Sequence, residues 1–249
     1  MKIAVSSDWH GQPPLRKDQK VIETCDALLL AGDILEVHDY GNNVVDELAR
    51  FLLKLKDKGI PVIMTPGNHD FHIYNGWLED SPDIKDFLRK KIKPRLRYGR
   101  DRIPYSVNFL EQLLGVKILI DCIYIFNGIR IYGTPWSPEF YGWAFMREDE
   151  DLYNIFQNIP SNTDILLAHT PPWIEGERLD VVVGRNDHCG SKALAQTVTE
   201  KTNLKYAFFG HIHSGDHTPL KFGNTILQNV SYLNEAYQAG DYPITVIEV

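Results

Sequence analysis

The sequence predicts a mixed α/β domain in which two packed sheets carry helices on their outer faces. Three observations predict it: strand and helix patterns alternate early in the chain, the early apolar runs are unbroken, and two-residue turn signals recur later. Alternation indicates a parallel sheet covered by helices. Unbroken runs indicate strands buried on both faces, and Asn-Gly turns indicate hairpins. Because no linker composition interrupts residues 1–249, we expect a single domain.

The first part of the chain supplies the alternating elements. An apolar strand is predicted over residues 3–7, and a weak helical pattern follows over residues 16–24. Residues 27–31 predict a second strand, and apolar residues then recur at helical spacing over residues 44–56. A third strand is predicted over residues 61–65. The order strand, helix, strand, helix, strand favours parallel pairing of the three strands.

The later part of the chain predicts more strands and one helix. The helix is expected over residues 191–202, and residues 135–142 form the longest loop with a functional character. Asn127-Gly128 and Gly223-Asn224 are hairpin turns. We expect the last strands to be antiparallel. The strands are predicted at residues 117–121, 123–126, 129–133, 164–168, 206–209, 220–222, 225–228 and 244–249.

Composition narrows the class of protein only moderately. Hydrophobic residues make up 43% and charged residues 24%, as in ordinary globular proteins, and the net charge of −7 argues against a uniformly basic nucleic-acid surface. The three cysteines form no C-x-x-C pair, which favours a reducing compartment. We find neither a signal-peptide core nor the roughly 20 apolar residues of a membrane span. These features predict a cytoplasmic protein without membrane contact.

Side chains that bind metals follow five predicted strands, at the point where each strand ends. Ligands of α/β proteins bind beyond the carboxyl ends of strands, so we expect these side chains to meet. Two i, i+2 pairs are present, and on extended backbone each pair would point one way. Glycines before three of these residues allow close backbone approach. The residues are Asp8, His10, Asp33, Asn68, His69, His169, His211 and His213.

The motifs resemble the calcineurin-like metallophosphoesterase superfamily in both content and order. That family has the pattern D-x-H, G-D, G-N-H-[DE], H and G-H-x-H. This sequence has Asp8-Trp9-His10, Gly32-Asp33, Gly67-Asn68-His69-Asp70, His169 and Gly210-His211-Ile212-His213. Each motif alone is also compatible with a polar turn, but their combination over residues 8–213 is specific.

Two further segments refine the resemblance. Gly133-Thr134-Pro135-Trp136 with its aromatic continuation, and the region from His169 to Gly190, are similar to the small metallophosphoesterase-domain-containing phosphodiesterases. Protein serine/threonine phosphatases instead place Asp-Arg-Gly shortly after Gly-Asp. This chain has residues 34–39, ILEVHD, at that position, which argues against a protein phosphatase.

The resemblance implies a four-layer αββα sandwich with two mixed β-sheets flanked by helices. It also implies a metal centre in which Asp33 bridges two ions and His69 stays unligated, facing the substrate. Asp70 could orient His69. One ion would be held by Asp8, His10 and His213, and the other by Asn68, His169 and His211.

The chemistry of the donors explains why such a centre would hydrolyse phosphate esters. Two divalent ions would exceed the charge of two carboxylates, so the site would attract phosphate oxygens and acidify a bridging water. Nitrogen and oxygen donors without thiolate suit manganese first, with iron, zinc, nickel or cobalt as alternatives. His69 would protonate the leaving oxygen. We therefore expect a dinuclear-metal phosphoesterase, more specifically a phosphodiesterase of a small nucleotide such as a cyclic nucleotide.

Two other functions stay open at the level of sequence. Residues 89–102, RKKIKPRLRYGRDR, could contact nucleic-acid phosphates and make the protein a nuclease. A solvated charged surface is the simpler interpretation of this segment.

The aromatic residues of positions 136–143 could stack on a base or pack on the domain. A metal-containing scaffold without turnover is the third alternative.

Overall fold

The computed structural model describes residues 1–35, 42–80, 106–185, 187–201 and 203–249. Its helices lie outside two large sheets. Within the described ranges they are α1 (Arg16–Ile22), α2 (Asn42–Asp57), α3 (Phe71–Asp80), α4 (Val107–Leu114), α5 (Asp149–Gln157) and α6 (Lys192–Glu200).

The strands of the first sheet have the order β13-β1-β2-β3-β4. β1, β2, β3 and β4 are parallel, and β13 is antiparallel to β1 at the edge. The carboxyl ends of the parallel strands therefore lie at one edge of the sheet. These strands are β1 (Lys2–Ser6), β2 (Ala27–Ala31), β3 (Val62–Thr65), β4 (Val116–Ile118) and β13 (Thr245–Glu248).

The second sheet has the order β11-β12-β10-β9-β6-β5, and a small pair, β7-β8, lies apart. β12, β10, β9 and β6 are parallel, with antiparallel strands at both edges. Its strands and the small pair are β5 (Cys122–Phe126), β6 (Ile129–Thr134), β7 (Ser137–Pro138), β8 (Met146–Arg147), β9 (Ile165–Ala168), β10 (Tyr206–Phe209), β11 (Leu220–Phe222) and β12 (Thr225–Asn229).

The core has two parts, and together they explain the unbroken apolar runs. Alternate residues of β1 and β2 point between the sheets and meet Leu167 and Phe208 of the second sheet. The intervening residues, such as Leu28, point outward and pack beneath helices together with Leu52 and Phe156. A strand covered on both faces needs apolar side chains at every position. The predicted four-layer sandwich of two mixed sheets flanked by helices is confirmed.

The sequence predictions differ from the structure in a few elements. The strands over residues 27–31 and 206–209 match, but α3, α4 and α5 were not predicted. The strand predicted over residues 117–121 ends at Ile118, and Asp121, with a φ of 48°, is left-handed and so lies outside any strand. The prediction of antiparallel pairing is wrong for one side of β12, which runs parallel to β10. In the described part of the chain, every helix is too short or too polar to cross a membrane.

Candidate metal centre

The loops after β1 and β2 hold the first part of the site. The Asp8 N–H donates to Gly32 O and the His10 N–H donates to Asp33 O, each over 2.9 Å, so the two loops are joined side by side. Asp8, His10 and Asp33 have φ values of 55°, 43° and 53°. The two side chains of the Asp8/His10 pair therefore converge through left-handed backbone, and the predicted extended backbone is wrong there.

The loops after β9 and β10 supply the remaining histidines from the second sheet. His169 directly follows β9, and its carbonyl accepts a 3.0 Å hydrogen bond from the Gly210 N–H. His211 is left-handed, with a φ of 68°, and its N–H donates to Asp8 Oδ1 over 3.1 Å. This bond connects the loops of the two sheets. The predicted residues therefore come together at the strand ends of both sheets.

Asp8, His10 and His213 form what we call the first donor group, in which one donor atom of each residue lies within 4.8 Å of the others. His213 Nε2 is 3.2 Å from His10 Nε2 and 3.4 Å from Asp8 Oδ1. All three residues are buried. Facing nitrogens and a carboxylate oxygen at these distances are the donors that a transition metal takes.

Asp33, His169 and His211 form the second donor group under the same 4.8 Å criterion. His169 Nε2 lies 3.3 Å from Asp33 Oδ2 and 2.8 Å from Asn68 Oδ1, so Asn68 belongs beside this group. Asp33 Oδ2 is also 3.9 Å from His10 Nε2. Asp33 thus contacts members of both groups, as a bridging ligand would. The structure assembles all seven predicted ligands, and their ligation stays a prediction.

Backbone carbonyls orient two of the histidines. His169 Nδ1 is 3.0 Å from Ala31 O, and His213 Nδ1 is 3.0 Å from Asn234 O. A carbonyl can only accept, so each Nδ1 donates its proton and each Nε2 points into the site. Histidine ligands of metals are oriented in this way, by a hydrogen bond from the other ring nitrogen. The donor set therefore fits divalent ions.

Electrostatics in the metal-free centre favours protons at the positions that cations would take. Burial opposes a charge on His169 and His213, but Asp33 raises the pKa of His169 to about 9 and Asp8 raises the pKa of His213 to about 9. Burial also works against charged Asp8 and Asp33, yet these imidazoles hold the pKa of both carboxyls below the usual range. Metal binding would release these protons.

Glycines allow the ligands to pack against the backbone, as predicted. Gly32 has a φ of 101°, and a Cβ there would collide with His169 Nδ1. At Gly210, a Cβ would collide with Ser7 Oγ and Asp8 Oδ2. Any side chain at either position would therefore displace a ligand or its hydrogen-bond partner.

His69 lies at the edge of the site and is partly exposed. Its backbone N–H donates to Asp33 Oδ1 over 2.7 Å. Its ring contacts His10 edge to face at 4.6 Å between centroids and stacks on Trp143, also at 4.6 Å. His10, Asp33 and His69 form a third donor group within 4.8 Å, which the sequence did not indicate.

The orienting role predicted for Asp70 is wrong. Its carboxylate accepts hydrogen bonds from the backbone N–H groups of Gly67 and Leu35 at 2.7 Å and of Ile34 at 3.3 Å. Burial raises the pKa of Asp70 to about 7, with the nearby charge of Asp33 as the second cause. Asp70 therefore connects the loops after β2 and β3, and its oxygens are used by the backbone.

Sequence reasoning missed several neighbours of the ligands. Tyr237 is 46% exposed, and its ring lies 4.7 Å from that of His10 and 5.3 Å from that of His213. Ser231 Oγ donates to Asp8 Oδ2 over 2.8 Å. Tyr237 and Ser231 carry no motif spacing that could have indicated them. Trp143 belongs to the aromatic segment that the sequence singled out, but its contact with His69 needs the fold.

Other predictions fall on different parts of the chain. Residues 89–102, on which the nucleic-acid hypothesis rests, lie outside the described residues, as do residues 36–41. Of the aromatic segment, Trp136 is buried and its Nε1 donates to Asp121 Oδ2 over 2.6 Å, so this ring packs on the domain. Phe140 is 56% exposed.

Two mixed sheets between helices, with facing histidine and carboxylate groups at the strand ends, define an α/β protein with a candidate metal centre. The model of the calcineurin-like phosphoesterase family matches residues 1–215, and the chain belongs to this family. The resemblance inferred from the motifs is confirmed. The family acts on phosphate esters and depends on two metals.

Similar proteins support this placement. Metallophosphoesterase domain-containing protein 1 of Homo sapiens is 35% identical over 137 residues, which cover 52% of this chain and 41% of that protein. UPF0046 protein T07D4.2 of Caenorhabditis elegans is 31% identical over 204 residues, which cover 76% of this chain and 46% of that protein. The match thus spans less than half of each relative. The crystal structure of TT1561 of Thermus thermophilus shares the fold, with a TM-score of 0.54, 13% identity and coverage of 92% and 88%.

Proposed function

We propose that this chain is a phosphodiesterase that uses two divalent metal ions to hydrolyse a small nucleotide, such as a cyclic nucleotide, or a related ester. The position of Asp33 carries the proposal. Its carboxylate lies 3.3 Å from His169 Nε2 and 3.9 Å from His10 Nε2, so a single residue joins the two donor groups. A pair of ions sharing one carboxylate is the arrangement that phosphoryl transfer uses.

The residues present fit two ions of the transition series. Nitrogen and oxygen donors without thiolate favour manganese, with iron, zinc, nickel or cobalt as alternatives. When bound, the ions would polarise the phosphate oxygens and lower the pKa of water. One ion would be held by Asp8, His10 and His213, and the other by Asn68, His169 and His211, with Asp33 between them.

His69 is the proposed proton donor to the leaving oxygen. Its Nδ1 is buried, which leaves Nε2 as the nitrogen that would face a substrate in the proposed role. The backbone N–H of His69 donates to Asp33 Oδ1, which holds the loop beside the bridging carboxylate. A positioned imidazole can transfer a proton near neutral pH, because its ordinary pKa lies there.

Two observations support a nucleotide diester as the substrate. The half-exposed ring of Tyr237 lies beside His10, where a planar base could stack on it. Among the described residues, the members of the donor groups form their ion pairs with one another and none with Lys or Arg. A phosphate bound there would be balanced mainly by the metals in the proposed site, which favours a singly charged diester over a doubly charged monoester.

We also propose that residues 1–249 work as one domain in a reducing compartment such as the cytoplasm. β13, near residue 249, pairs with β1, near residue 1, so both ends of the chain contribute to one sheet. Cys25, Cys122 and Cys189 are free thiols, as a reducing compartment allows.

The decisive experiment compares substrates on protein stripped of metal and reloaded with a single metal. We expect bis(4-nitrophenyl) phosphate and 2′,3′-cyclic AMP to be hydrolysed faster than 4-nitrophenyl phosphate, with manganese giving the highest turnover. No turnover with manganese, iron, cobalt, nickel or zinc would defeat the proposal. Cleavage of single-stranded DNA or RNA in place of the small diesters would make the protein a nuclease.

A variant of His69 tests the proton donor separately. His69→Ala is expected to lower turnover of 2′,3′-cyclic AMP, whose leaving group is an alkoxide, by about 10²- to 10⁴-fold, the usual contribution of general acid catalysis. Metal content should stay unchanged. His72→Ala, three residues further on in α3, is the matched control and should retain turnover. Loss of bound metal from His69→Ala would instead assign His69 to the third donor group as a ligand.

A further inference from the structure

The ring of His69 is held by other rings. In the part of the chain that the structure describes, His69 Nδ1 is buried and has no hydrogen-bond partner. Asp70, the adjacent carboxylate, is occupied by the N–H groups of Gly67, Ile34 and Leu35. The usual device, a carboxylate or carbonyl that accepts from the second ring nitrogen, is therefore not used for this histidine, although it is used for His169 and His213.

Trp143 stacks on that ring. The indole and the imidazole lie at 4.6 Å between centroids with an angle of 24° between their planes, which is a stacked arrangement. His10 meets the same imidazole edge to face, with an angle of 89° between the planes. Two rings that cross one imidazole at different angles restrict both its tilt and its rotation about the Cα–Cβ bond.

The backbone fixes Trp143 to the loop that carries His69. The N–H of Ala144, the next residue, donates to Asn68 O over 3.2 Å, and Asn68 directly precedes His69. The Ser137 N–H donates to Phe145 O over 2.9 Å, while Ala144 and Phe145 are completely buried. The backbone that carries the indole is therefore part of a packed segment that is hydrogen-bonded to the loop of His69.

We propose that Trp143 is the positioning residue of His69, and that stacking on the indole replaces the hydrogen bond that orients histidines in such sites. The inference rests on the proposed function, in which His69 protonates the leaving oxygen. Stacking orients the ring without placing another carboxylate beside Asp33. Trp143 acts through His69 and does not touch the reacting atoms.

Turnover of two manganese-loaded diesters tests this role, because protonation matters more for a poor leaving group. On diphenyl phosphate, Trp143→Ala should lower kcat by about 10-fold or more with KM little changed, and on bis(4-nitrophenyl) phosphate by less than about 3-fold. The double variant His69→Ala/Trp143→Ala should be no slower than His69→Ala alone. Trp143→Phe should restore most of the kcat, whereas Phe140→Ala, an exposed aromatic change in the same loop, should have no effect.

Three results would overturn the proposal. The first is that the losses of the two single variants multiply in the double variant. The second is that KM rises in Trp143→Ala while kcat stays constant. The third is that Trp143→Ala loses metal. The second result would assign Trp143 to substrate binding, and the third would make it a structural support of the centre.

A measurement without substrate separates this inference from the proposed function. In the metal-free protein, the imidazole protons of His69, assigned by their loss in His69→Ala, should be shifted upfield by the indole ring current. In Trp143→Ala they should move downfield. If these shifts occur in a protein without turnover, the proposed function fails while the stack is real. If the resonance does not move, the positioning role fails even in an active enzyme.

Discussion

Two pairs of histidines within one centre are held in different ways. His169 and His213 are anchored, since Nδ1 of each donates to a backbone carbonyl and Nε2 of each faces a carboxylate. His10 and His211 lack such an anchor in the described part of the chain, and His10 Nδ1 is buried without a partner. Burial lowers the pKa of His10 to about 4 and that of His211 to about 3, whereas the anchored pair is raised to about 9.

This difference bears on how the centre would take up metal. The raised pKa values favour protons on the anchored histidines beside Asp8 and Asp33, and the lowered pKa values favour neutral rings in the unanchored pair. One member of each kind lies in the first donor group and one of each kind in the second. Each ion would therefore displace one proton and find one ring already neutral, which limits the cost of binding.

Removing the shared carboxylate should have the largest effect. Asp33→Asn removes the partner of His169 and the connection to His10. We expect bound metal to fall from two ions per chain to one or fewer, and turnover to fall by roughly 10³-fold, the scale for loss of a charge-stabilising group. Elemental analysis and diester assays measure both.

Asp180→Asn is the matched control for that change. Asp180 is also buried and ion-paired to a histidine, with 2.8 Å between Asp180 Oδ1 and His188 Nδ1, but it belongs to neither donor group. This control should keep its metal. Two ions bound in Asp33→Asn would show that Asp33 does not bridge.

The pH dependence of the metal-free protein should reveal the two pairs directly. The ordinary pKa of histidine, 6.5, is raised in the anchored pair, so their stabilising contribution is complete below 6.5 and is lost as pH rises towards 9. The histidine pKa is lowered in the unanchored pair. The stabilising contribution of these two residues is therefore present above pH 6.5 and is lost as pH falls towards 4. Urea unfolding should therefore give a maximum of stability near pH 6.5.

His169→Ala tests the assignment of the alkaline side. This variant should weaken the fall in the free energy of unfolding between pH 6.5 and 9 and leave the acidic side in place. A wild-type profile that is flat over this range would contradict the raised pKa values of the anchored pair.

A smaller effect is expected from loosening one anchor. The Asn234 carbonyl accepts from His213 Nδ1, and the Asn234 side chain fixes that loop by accepting from the N–H groups of Ala236 and Gln238 at 2.9 and 3.0 Å. Asn234→Ala should weaken metal binding at the first donor group by about 10- to 100-fold, as changes next to a ligand usually do. Titration calorimetry with manganese measures this. Asp241→Asn, which keeps an acceptor for the Asn234 amide, should bind nearly as wild type.

Most of the ligand set could be predicted because its signals are local. An apolar strand followed directly by a metal-binding residue type marks the carboxyl end of that strand, and His169 after β9 is such a case. Which loops of the two sheets meet depends on the fold. That information came from the resemblance to the family and not from the local patterns. The backbone of Asp8 and His10 was mispredicted, since a left-handed conformation is fixed by hydrogen bonds to the neighbouring loop, which the sequence of one strand does not contain.

Side chains that contact a site residue but lie far from it in the sequence could not be predicted. Trp143 lies 74 positions after His69, and Tyr237 lies 227 positions after His10, so no spacing rule connects them. Asp70 was misassigned for a related reason. It directly follows His69 in the chain, yet its carboxylate turns to the backbone N–H groups of the loop after β2.

The smallest expected effect concerns a single hydroxyl next to a ligand. Ser231 Oγ donates to Asp8 Oδ2 over 2.8 Å, and Ser7 Oγ donates to the same oxygen. Because Ser7 Oγ and the His211 N–H still donate to this oxygen, Ser231→Ala should cost about 0.5–1.5 kcal/mol, a loss of up to about tenfold in manganese affinity at the first donor group. Ser137→Ala is the matched control, since Ser137 Oγ is buried without a hydrogen-bond partner among the described residues and its removal should leave metal affinity unchanged. Equal losses in both serine variants would mean that packing, and not the hydrogen bond to Asp8, supports the ligand.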